Sequence, residues 1–384
     1  MICETKKLKD ISIIKTGKLD SNAAIENGEY PFFTCDPITL RIDKWAYDTE
    51  AVLLAGNNAS GNYTAKYYKG RFNAYQRTYI IETADENELM VRFLCYAMNQ
   101  QLQLLKTMSS GSTTKFLTIK MLHGLDIPCP SIDTQKRIVN ILGTIDDLIE
   151  NNQKQIKLLE EAAQRLYKEW FVDLHFPGYE DVAIVDGVPE GWKKDRADTF
   201  FNITIGKTPP RAEKQWFVEG NTGVPWLSIS DMGNAGVYAF TTEEALTQEA
   251  VKKHNMKVAP SGTIFVSFKL TVGRVAIATT NMCTNEAIAH FYIENDLQRA
   301  YTYCYLKNFE YDTLGNTSSI SKAVNSKIIK AMPFIMPDEL TVLSFSKFVD
   351  PILNEIKNKQ AVCIKLIEAR NRLLPKLMSG EIEV

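Results

Sequence analysis

A regular spacing of apolar residues between Thr134 and Trp170 constrains this chain more than any other feature. Apolar residues recur there at alternating steps of four and three, which is the heptad pattern of a helix that packs against another helix. A helix of this length spans roughly 55 Å, too long to lie on one globular core. We call this set of heptad positions the first ladder; it comprises Ile138, Leu142, Ile145, Ile149, Asn152, Ile156, Leu159, Ala163, Leu166 and Trp170.

The same pattern returns near the C-terminal end. Each position of the second ladder lies 207 residues after its counterpart, as Phe345 does after Ile138, and Pro130 and Pro337 keep that offset upstream. The chain is therefore predicted to be an internal duplication in which each half ends in a long helix. The positions of the second ladder are Phe345, Val349, Ile352, Ile356, Lys359, Cys363, Leu366, Arg370, Leu373 and Leu377.

A single ladder would fit an ordinary amphipathic core helix equally well. Two ladders in the same phase favour an antiparallel helix pair, in which polar positions near the midpoint fix the register at some cost in stability. The facing residues would be Ile149 with Leu366, Asn152 with Cys363, and Ile156 with Lys359.

Length and composition predict a globular chain with more than one domain. The 384 residues are 45% hydrophobic and 23% charged, with a formal net charge of −2. The seven cysteines are widely spaced and form no CxxC pair, so they predict neither a disulfide framework nor a zinc site. The sequence has no apolar run of membrane-spanning length and no apolar signal core, which predicts a cytoplasmic protein.

Four segments follow from the duplication. Residues 1–130 and 177–336 are predicted to be mixed α/β units, because short β-type runs alternate with Gly-rich loops. Residues 131–176 contain the first long helix, and residues 337–384 contain the second helix and a C-terminal tail. The predicted fold class is α+β: two mixed α/β domains separated by two long helices that form an antiparallel coiled coil, with an internal pseudo-twofold repeat.

Sequence motifs of enzymes are absent. GKTPPR at 206–211 lacks the upstream glycine of a phosphate-binding P-loop, because that position is Phe201. No methyltransferase tetrad, no GxGxxG after a strand and no nucleophile motif occur. The four histidines are isolated and lack the spacing of metal ligands. The chain is therefore predicted to be a non-catalytic binding protein without a metal or cofactor of its own.

Nucleic acid is the predicted ligand, although the near-neutral charge argues against it. Two non-identical units on a rigid helix pair suit a two-part target, with the helices as a ruler of roughly 15 base pairs. Lys and Arg can hold phosphates, Arg can read guanine, and Asn or Gln can read adenine. The candidate DNA-binding residues of the first unit are Lys18, Asn57, Asn58, Tyr75, Gln76, Arg77, Ser112, Thr113 and Lys115. Those of the second unit are Lys207, Thr208 and Arg211, which are expected to hold phosphates, and Lys269, Arg274, Asn285, Ser318 and Lys322.

Four stretches of sequence carry a resemblance that extends over the whole chain. YKEWFVDLHFPGY (167–179) and LLPKLMSGEIEV (373–384) stand at the ends of the helices, and VPWLSISDM and GTIFVSF…VGRVAI lie in the second unit. In these stretches the chain resembles the specificity (S) subunit of a type I restriction–modification enzyme. The order of variable unit, helix, variable unit and helix agrees with that resemblance.

The resemblance implies two target-recognition domains, each reading one half of a bipartite site in double-stranded DNA. It also implies spacer helices that set the gap and dock methyltransferase (M) subunits, with Trp170, Phe171 and residues 373–384 at the docking ends. S-adenosylmethionine would be bound by the M subunits, and ATP and Mg²⁺ would serve restriction (R) subunits. This chain would then be a non-catalytic part of a system for DNA methylation and defence against foreign DNA.

Two alternatives remain open at the level of sequence. The near-neutral charge favours a coiled-coil scaffold that joins protein partners without reading DNA, whereas the paired loop-rich units and the two post-helix motifs favour DNA reading. A further alternative is an S-type partner of a fused methyltransferase–nuclease, which only neighbouring genes or co-purifying chains would distinguish.

Overall fold

The chain folds into two compact units in the computed structural model. The structure describes residues 4–59, 61–109, 115–219, 222–269, 271–314 and 324–384. Unit 1 comprises Met1–Glu150 together with Lys365–Val384, and unit 2 comprises Asn151–Ile364. Each unit therefore combines one α/β region with part of both long helices.

Unit 1 consists of short strands, short helices and parts of the two long helices. Its strands are β1 (Glu4–Lys7), β2 (Ser12–Thr16), β3 (Tyr30–Phe33), β4 (Leu40–Ile42), β5 (Tyr47–Ala55), β6 (Asn57–Asn58), β7 (Ala65–Ala74), β8 (Thr78–Thr83), β9 (Lys115–Phe116) and β10 (Asp126–Cys129). Its helices are α1 (Leu8–Ile11), α2 (Val91–Met108), α3 (Ile119–His123) and the first part of α4 (Ile132–Tyr167).

The main sheet of unit 1 has the strand order β2-β8-β5-β7-β3-β4. Successive residues of β5 face opposite sides: Val52 and Leu54 join the core that includes α2, and Leu53 joins a second core on the other face. Both faces are buried over residues 51–55, which explains why this part of the strand (AVLLA) is a continuous apolar run. The sheet curls, because Leu19, after β2, forms a parallel bridge with Tyr75, after β7.

Unit 2 repeats this plan with additional strands. Its strands are β11 (Ile184–Val185), β12 (Val188–Pro189), β13 (Lys193–Arg196), β14 (Ile203–Ile205), β15 (Phe217–Glu219), β16 (Val224–Leu227), β17 (Tyr238–Ala239), β18 (Glu244–Leu246), β19 (Ile264–Ser267), β20 (Val275–Ala278), β21 (Cys283–Thr284), β22 (Ile288–Phe291) and β23 (Pro333–Met336). Its helices are the second part of α4, then α5 (Ala197–Phe200), α6 (Ile229–Asn234), α7 (Gln248–Lys253), α8 (Arg299–Asn308), α9 (Ser326–Lys330) and the first part of α10 (Glu339–Ser379).

The duplication is visible in the backbone hydrogen bonds of the two units. In unit 1, β2 pairs with β8 and β8 pairs with β5; in unit 2, β14 pairs with β22 and β22 pairs with β19. The Gly17 N–H donates to the Thr78 carbonyl at 3.1 Å, and the Gly206 N–H donates to the Ile288 carbonyl at 3.0 Å. The strand order of unit 2 is β14-β22-β19-β20-β17, with a second sheet of order β15-β18-β16-β21.

The two long helices begin where their sequences provide capping groups. The Ser131 hydroxyl accepts a hydrogen bond from the Thr134 N–H at 3.3 Å at the start of α4. The Asp338 carboxylate accepts the N–H groups of Leu340 and Thr341, both at 3.0 Å, at the start of α10. These bonds satisfy amides that have no partner within the first turn of a helix. No helix within the described ranges is long and apolar enough to cross a membrane.

Within each unit the segments of the two long helices run antiparallel. In unit 1 an early residue of α4, Asp146, accepts a hydrogen bond from a late residue of α10, Arg370, at 3.0 Å. In unit 2 the ring of Phe345, near the start of α10, lies 5.7 Å from Trp170 and 4.9 Å from Phe171, which belong to the helical turn after α4. The predicted fold class is confirmed.

The ladder positions are all at least partly removed from solvent. The compact units divide the helices after Glu150 and after Ile364, so the four segment boundaries proposed from the sequence stay predictions. The buried ladder positions are Ile138, Leu142, Ile149, Ala163, Trp170, Phe345, Val349, Ile356, Cys363 and Leu377. The half-buried ones are Ile145, Asn152, Ile156, Leu159, Leu166, Ile352, Lys359, Leu366, Arg370 and Leu373.

Candidate nucleic-acid interface

Three loops of unit 1 meet at one place because two glycines allow their backbones to touch. A β-carbon at Gly17 would lie 2.1 Å from the Ala74 carbonyl oxygen, so only glycine fits there. The Gly56 N–H donates to the Arg77 carbonyl at 2.8 Å and joins the next loop. The residues of these loops are called the first loop cluster: 17–20, 56–59 and 74–78.

The first loop cluster presents polar and basic side chains to solvent. Lys18, Gln76 and Arg77 are exposed. The Gln76 side-chain amide donates to the Asp20 carboxylate at 2.6 Å, which fixes its orientation. Within the described ranges, Lys18 and Arg77 form no ion pair. Both cations therefore remain available for an anionic or acceptor-rich ligand.

A short strand pair adds further polar residues beside this cluster. β6 pairs with β9, so Asn58 lies opposite Lys115 and Asn57 lies opposite Phe116. Asn57, Asn58 and Lys115 are half-buried. Tyr75 is also half-buried, and its N–H donates to a backbone carbonyl at 2.9 Å. The structure thus brings together seven of the residues predicted for the first unit.

Unit 2 builds an equivalent cluster on the same backbone pattern. A β-carbon at Gly206 would lie 2.0 Å from the Asn285 carbonyl oxygen, and the Phe268 N–H donates to the Ala287 carbonyl at 2.9 Å. These contacts match those of Gly17 and Gly56 in unit 1. The residues concerned are called the second loop cluster: 206–211, 268–269 and 284–287.

The predicted phosphate-holding residues of unit 2 already have partners. The Lys207 ammonium donates to the His254 carbonyl at 2.7 Å. The Thr208 hydroxyl donates to the Glu286 carboxylate, and this hydrogen bond lowers the pKa of Glu286. Arg211 donates to both carboxylate oxygens of a glutamate, Glu244, at 2.8 and 2.7 Å. The charge of the second loop cluster is therefore mixed rather than basic.

Two other candidates of unit 2 have roles inside the fold. The Arg274 guanidinium is half-buried and donates to the Ile229 carbonyl at 2.6 Å. The Asn285 side chain accepts the Ala287 N–H at 3.1 Å, which closes its own turn. Lys269 is exposed at the start of the same loop region. Its ammonium lies 5.6 Å from the centroid of the Phe268 ring, whereas Arg274 and Asn285 hold the loops.

Sequence reasoning missed two carboxylates at the second loop cluster: Glu286, which belongs to it, and Glu244, which lies on β18 beside it. Glu244 is 33 residues from Arg211 along the chain, so no local spacing links the two. Glu286 follows the candidate Asn285 directly, but it was not among the residues predicted from the sequence. Glu244 becomes a neighbour of the cluster only through sheet pairing.

A buried histidine next to the second loop cluster connects the segments that carry it by hydrogen bonds. His290 is fully buried, and its two ring nitrogens lie 3.1 Å from the Thr204 hydroxyl and 2.6 Å from the Thr284 hydroxyl. Burial lowers the pKa of His290 to about 4. The neutral ring thus links β22 to β14 and to the loop beside Gly206.

Four predicted residues lie outside the described residues: Ser112, Thr113, Ser318 and Lys322. In the part of the chain that the structure describes, no group of three or more metal-ligating side chains comes together.

The chain is thus a duplicated α/β protein with an exposed polar loop cluster in each half. The sequence matches the family model described as type I restriction modification DNA specificity domain at residues 3–161 and again at 189–362. The chain belongs to this family, and the two matched regions reproduce its internal duplication.

Individual relatives match parts of the chain. It is 35% identical to the EcoDI specificity subunit of Escherichia coli over 162 residues, which are 42% of this chain and 35% of that protein. It is 28% identical to the MjaIX specificity subunit of Methanocaldococcus jannaschii over 306 residues, which are 73% of this chain and 66% of that protein. These matches span about one third and about two thirds of the relatives' own lengths.

A solved structure supports the fold independently. The S subunit of a type I restriction-modification system from M. genitalium superposes with a TM-score of 0.60 at 16% sequence identity. The match covers 97% of this chain and 95% of that one. The whole succession of α/β regions and long helices is therefore shared.

Proposed function

We propose that the chain is the DNA sequence-specificity subunit of a type I restriction–modification complex. One observation carries this proposal: two loop clusters have the same backbone hydrogen bonds but different side chains, in a chain of the DNA-specificity family. A repeated scaffold with different side chains suits a ligand whose two halves share a geometry but differ in chemistry. Double-stranded DNA with a bipartite site is such a ligand.

Each loop cluster would read one half of the site. In unit 1, the exposed Lys18 and Arg77 are suited to phosphates or guanine, and the oriented amide of Gln76 is suited to adenine. In unit 2, the carboxylate of Glu286 can accept a hydrogen bond from a cytosine amino group. The near-neutral charge is compatible with this role when partner subunits supply part of the phosphate contact.

The long helices would set the gap between the half-sites and dock the M subunits. α4 has 36 residues and α10 has 41, and each contributes to both units. Large apolar side chains are exposed on them, including Leu158 at 63% and Phe348 at 59%, which suits a protein partner. Trp170 and Phe171 are buried, so the docking surface would use the exposed side chains instead.

The chain would carry no catalytic step itself. M subunits would bind S-adenosylmethionine and the adenine that is turned out of the duplex for methylation. R subunits, where they are part of the complex, would use ATP and Mg²⁺ for translocation and cleavage. The specificity subunit would contribute sequence recognition and spacing, and the assembly would work in the cytoplasm.

Methylome sequencing tests the proposal directly. Cells expressing the chain with its M subunit should contain methyladenine in a bipartite motif that is absent without the chain. Replacing residues 177–336 with the corresponding unit of a relative should change one half of the motif and leave the other. A stable complex with M that methylates no motif would contradict DNA reading and favour a scaffold role.

A further inference from the structure

Arg211 is held in one orientation by two aromatic rings. Its guanidinium carbon lies 4.2 Å from the centroid of the Phe217 ring and 4.5 Å from that of Trp226. The two rings are 5.7 Å apart and nearly perpendicular, at 81°. The guanidinium therefore lies in a corner formed by two ring faces, where cation–π attraction restricts its plane.

The rings restrict the plane of the guanidinium, and a carboxylate fixes its rotation within that plane. One terminal nitrogen of Arg211, Nη1, donates to both oxygens of Glu244 at 2.8 and 2.7 Å. Glu244 lies on β18, which pairs with β15 on one side and β16 on the other. Phe217 is on β15 and Trp226 is on β16. All three partners of the guanidinium thus come from adjacent strands of one sheet.

The opposite edge of the same guanidinium is unused. Within the residues that the structure describes, Nε and Nη2 of Arg211 have no hydrogen-bond partner, and the side chain is 50% exposed. These two N–H groups point the same way and can donate two parallel hydrogen bonds. The two adjacent acceptors O6 and N7 of guanine match this pair in the major groove.

The surroundings of Arg211 disfavour a phosphate as its ligand. The carboxylates of Glu244 and Glu286 are both close enough to interact electrostatically with Arg211. A phosphate there would meet two like charges, whereas the major-groove edge of guanine is neutral and offers two acceptors. A purely structural role is also a poor fit, because a half-exposed ion pair contributes little stability. Arg274, by contrast, uses its guanidinium to hold a backbone carbonyl at 2.6 Å.

We propose that Arg211 is a specificity-determining residue that reads a guanine through its Nε–Nη2 edge in the half-site bound by unit 2. This proposal rests on the proposed function and names one base contact within it. Phe217, Trp226 and Glu244 act as positioning residues that hold the guanidinium for this contact.

The test uses the full chain in complex with its M subunit. Methylome sequencing gives the wild-type motif, and the exchange of residues 177–336 assigns one half-site to unit 2. Duplexes carrying 7-deazaguanine, which lacks N7, are then measured for binding at each guanine of that half. One position should weaken wild-type binding about 10- to 100-fold. Arg211→Lys and Arg211→Ala should lose this penalty, and the motif should become degenerate at the same position.

Matched variants separate this role from others. Arg196→Lys alters another exposed arginine–carboxylate pair of unit 2, with Asp198 at 2.6 Å, and should leave the motif unchanged. Glu244→Gln keeps the size of the side chain and the arginine itself, and should lower discrimination at the same guanine only, even if the Arg211 variants fold poorly.

Each contrary result has a clear meaning. A unit 2 half-site without any G·C pair would overturn the proposal, as would Arg211 variants that keep the wild-type motif. Equal weakening for all duplexes, with a shallower salt dependence, would instead identify a phosphate contact. The absence of any motif in the wild type would refute the proposed function itself.

Discussion

The two loop clusters share a backbone and differ in charge. Gln76 and Glu286 occupy the same place in the repeated turn, because each precedes by two residues the strand residue, Thr78 or Ile288, that accepts the glycine N–H. One carries a neutral amide and the other a carboxylate. The following positions are Arg77 in unit 1 and Ala287 in unit 2. The comparison shows that the backbone contacts of the loops are the same in both units while the side chains differ.

The helix segments of the two units show a similar contrast. Asp146 and Arg370 form a hydrogen-bonded ion pair at 3.0 Å in unit 1. The positions that the repeat relates to them are Leu353 and Ala163, which are both buried in the core of unit 2. The same antiparallel register is thus compatible with a polar pair in one unit and an apolar pair in the other.

The largest expected effect comes from the glycines that hold the loops. Gly206→Ala places a β-carbon 2.0 Å from the Asn285 carbonyl oxygen, so the backbone of the second loop cluster must move. Because several base contacts would be lost together, methylation of the wild-type site should fall about 100-fold or more. Gly17→Ala should have a similar effect through the other half-site. The measurement is the methylation rate of duplexes with single base changes in either half.

Gly124→Ala is the control for these variants. A β-carbon there would lie 3.5 Å from the Met121 carbonyl oxygen and 3.7 Å from that of Lys120, which are ordinary van der Waals contacts, so the rate should not change. If Gly206→Ala methylated the wild-type motif at the normal rate, the close approach would not be needed for recognition.

A smaller effect is expected on the pH dependence of stability, because among the described residues unit 2 has a buried histidine next to its loop cluster and unit 1 does not. Burial lowers the pKa of His290 to about 4, below its ordinary 6.5, whereas the equivalent position of unit 1 is the buried Ile80. As pH falls below 6.5, the unfolded chain binds a proton that the folded chain does not, so stability is lost between about pH 6.5 and 4. Between pH 7.5 and 5 the loss should be about 2 kcal/mol.

Urea unfolding at both pH values measures this loss. His290→Gln cannot titrate, so the difference in unfolding free energy between pH 7.5 and pH 5 should be smaller for the variant than for the wild type. Equal differences in the two proteins would mean that His290 does not contribute to the acid sensitivity of unit 2.

The sequence was most informative where the structure repeats or is locally periodic. The heptad ladders predicted α4 and α10 and their antiparallel pairing, because a helix seam depends on residues three and four apart. Short β-type runs predicted the mixed α/β character of residues 1–130 and 177–336, because strand patterning is also local. The strand order and the strand β17 at the edge of unit 2 were not predictable, since strand pairing joins distant parts of the chain.

Side-chain roles at the candidate interface depended on such distant partners. Lys207 and Arg211 were both expected to hold phosphates because their side chains are cationic. The structure directs the ammonium of Lys207 to the His254 carbonyl and holds Arg211 against Glu244. A motif can thus identify a loop that presents polar groups, but the partner that orients each group is supplied by the fold.

The smallest expected effect is a recovery of about 1 kcal/mol when the polar helix pair of unit 1 is fully exchanged for the apolar pair of unit 2. Asp146→Leu removes the acceptor of both Arg370 and the Tyr96 hydroxyl, whose hydrogen bond to Asp146 is 2.6 Å long. The free energy of unfolding should fall by about 1–3 kcal/mol because two donors lose their partner. Adding Arg370→Ala should restore about 1 kcal/mol, because residues in contact couple by this amount.

Urea unfolding of the wild type, both single variants and the double variant gives the coupling energy. Glu381→Ala, which breaks the exposed pair with Lys376 in the same unit, should cost less than about 0.5 kcal/mol. A double variant less stable than Asp146→Leu alone would mean that Arg370 stabilises unit 1 through contacts other than the one with Asp146. The link of this pair to the α/β region is the hydrogen bond of Tyr96 to Asp146, which the apolar positions Leu353 and Ala163 cannot reproduce in unit 2.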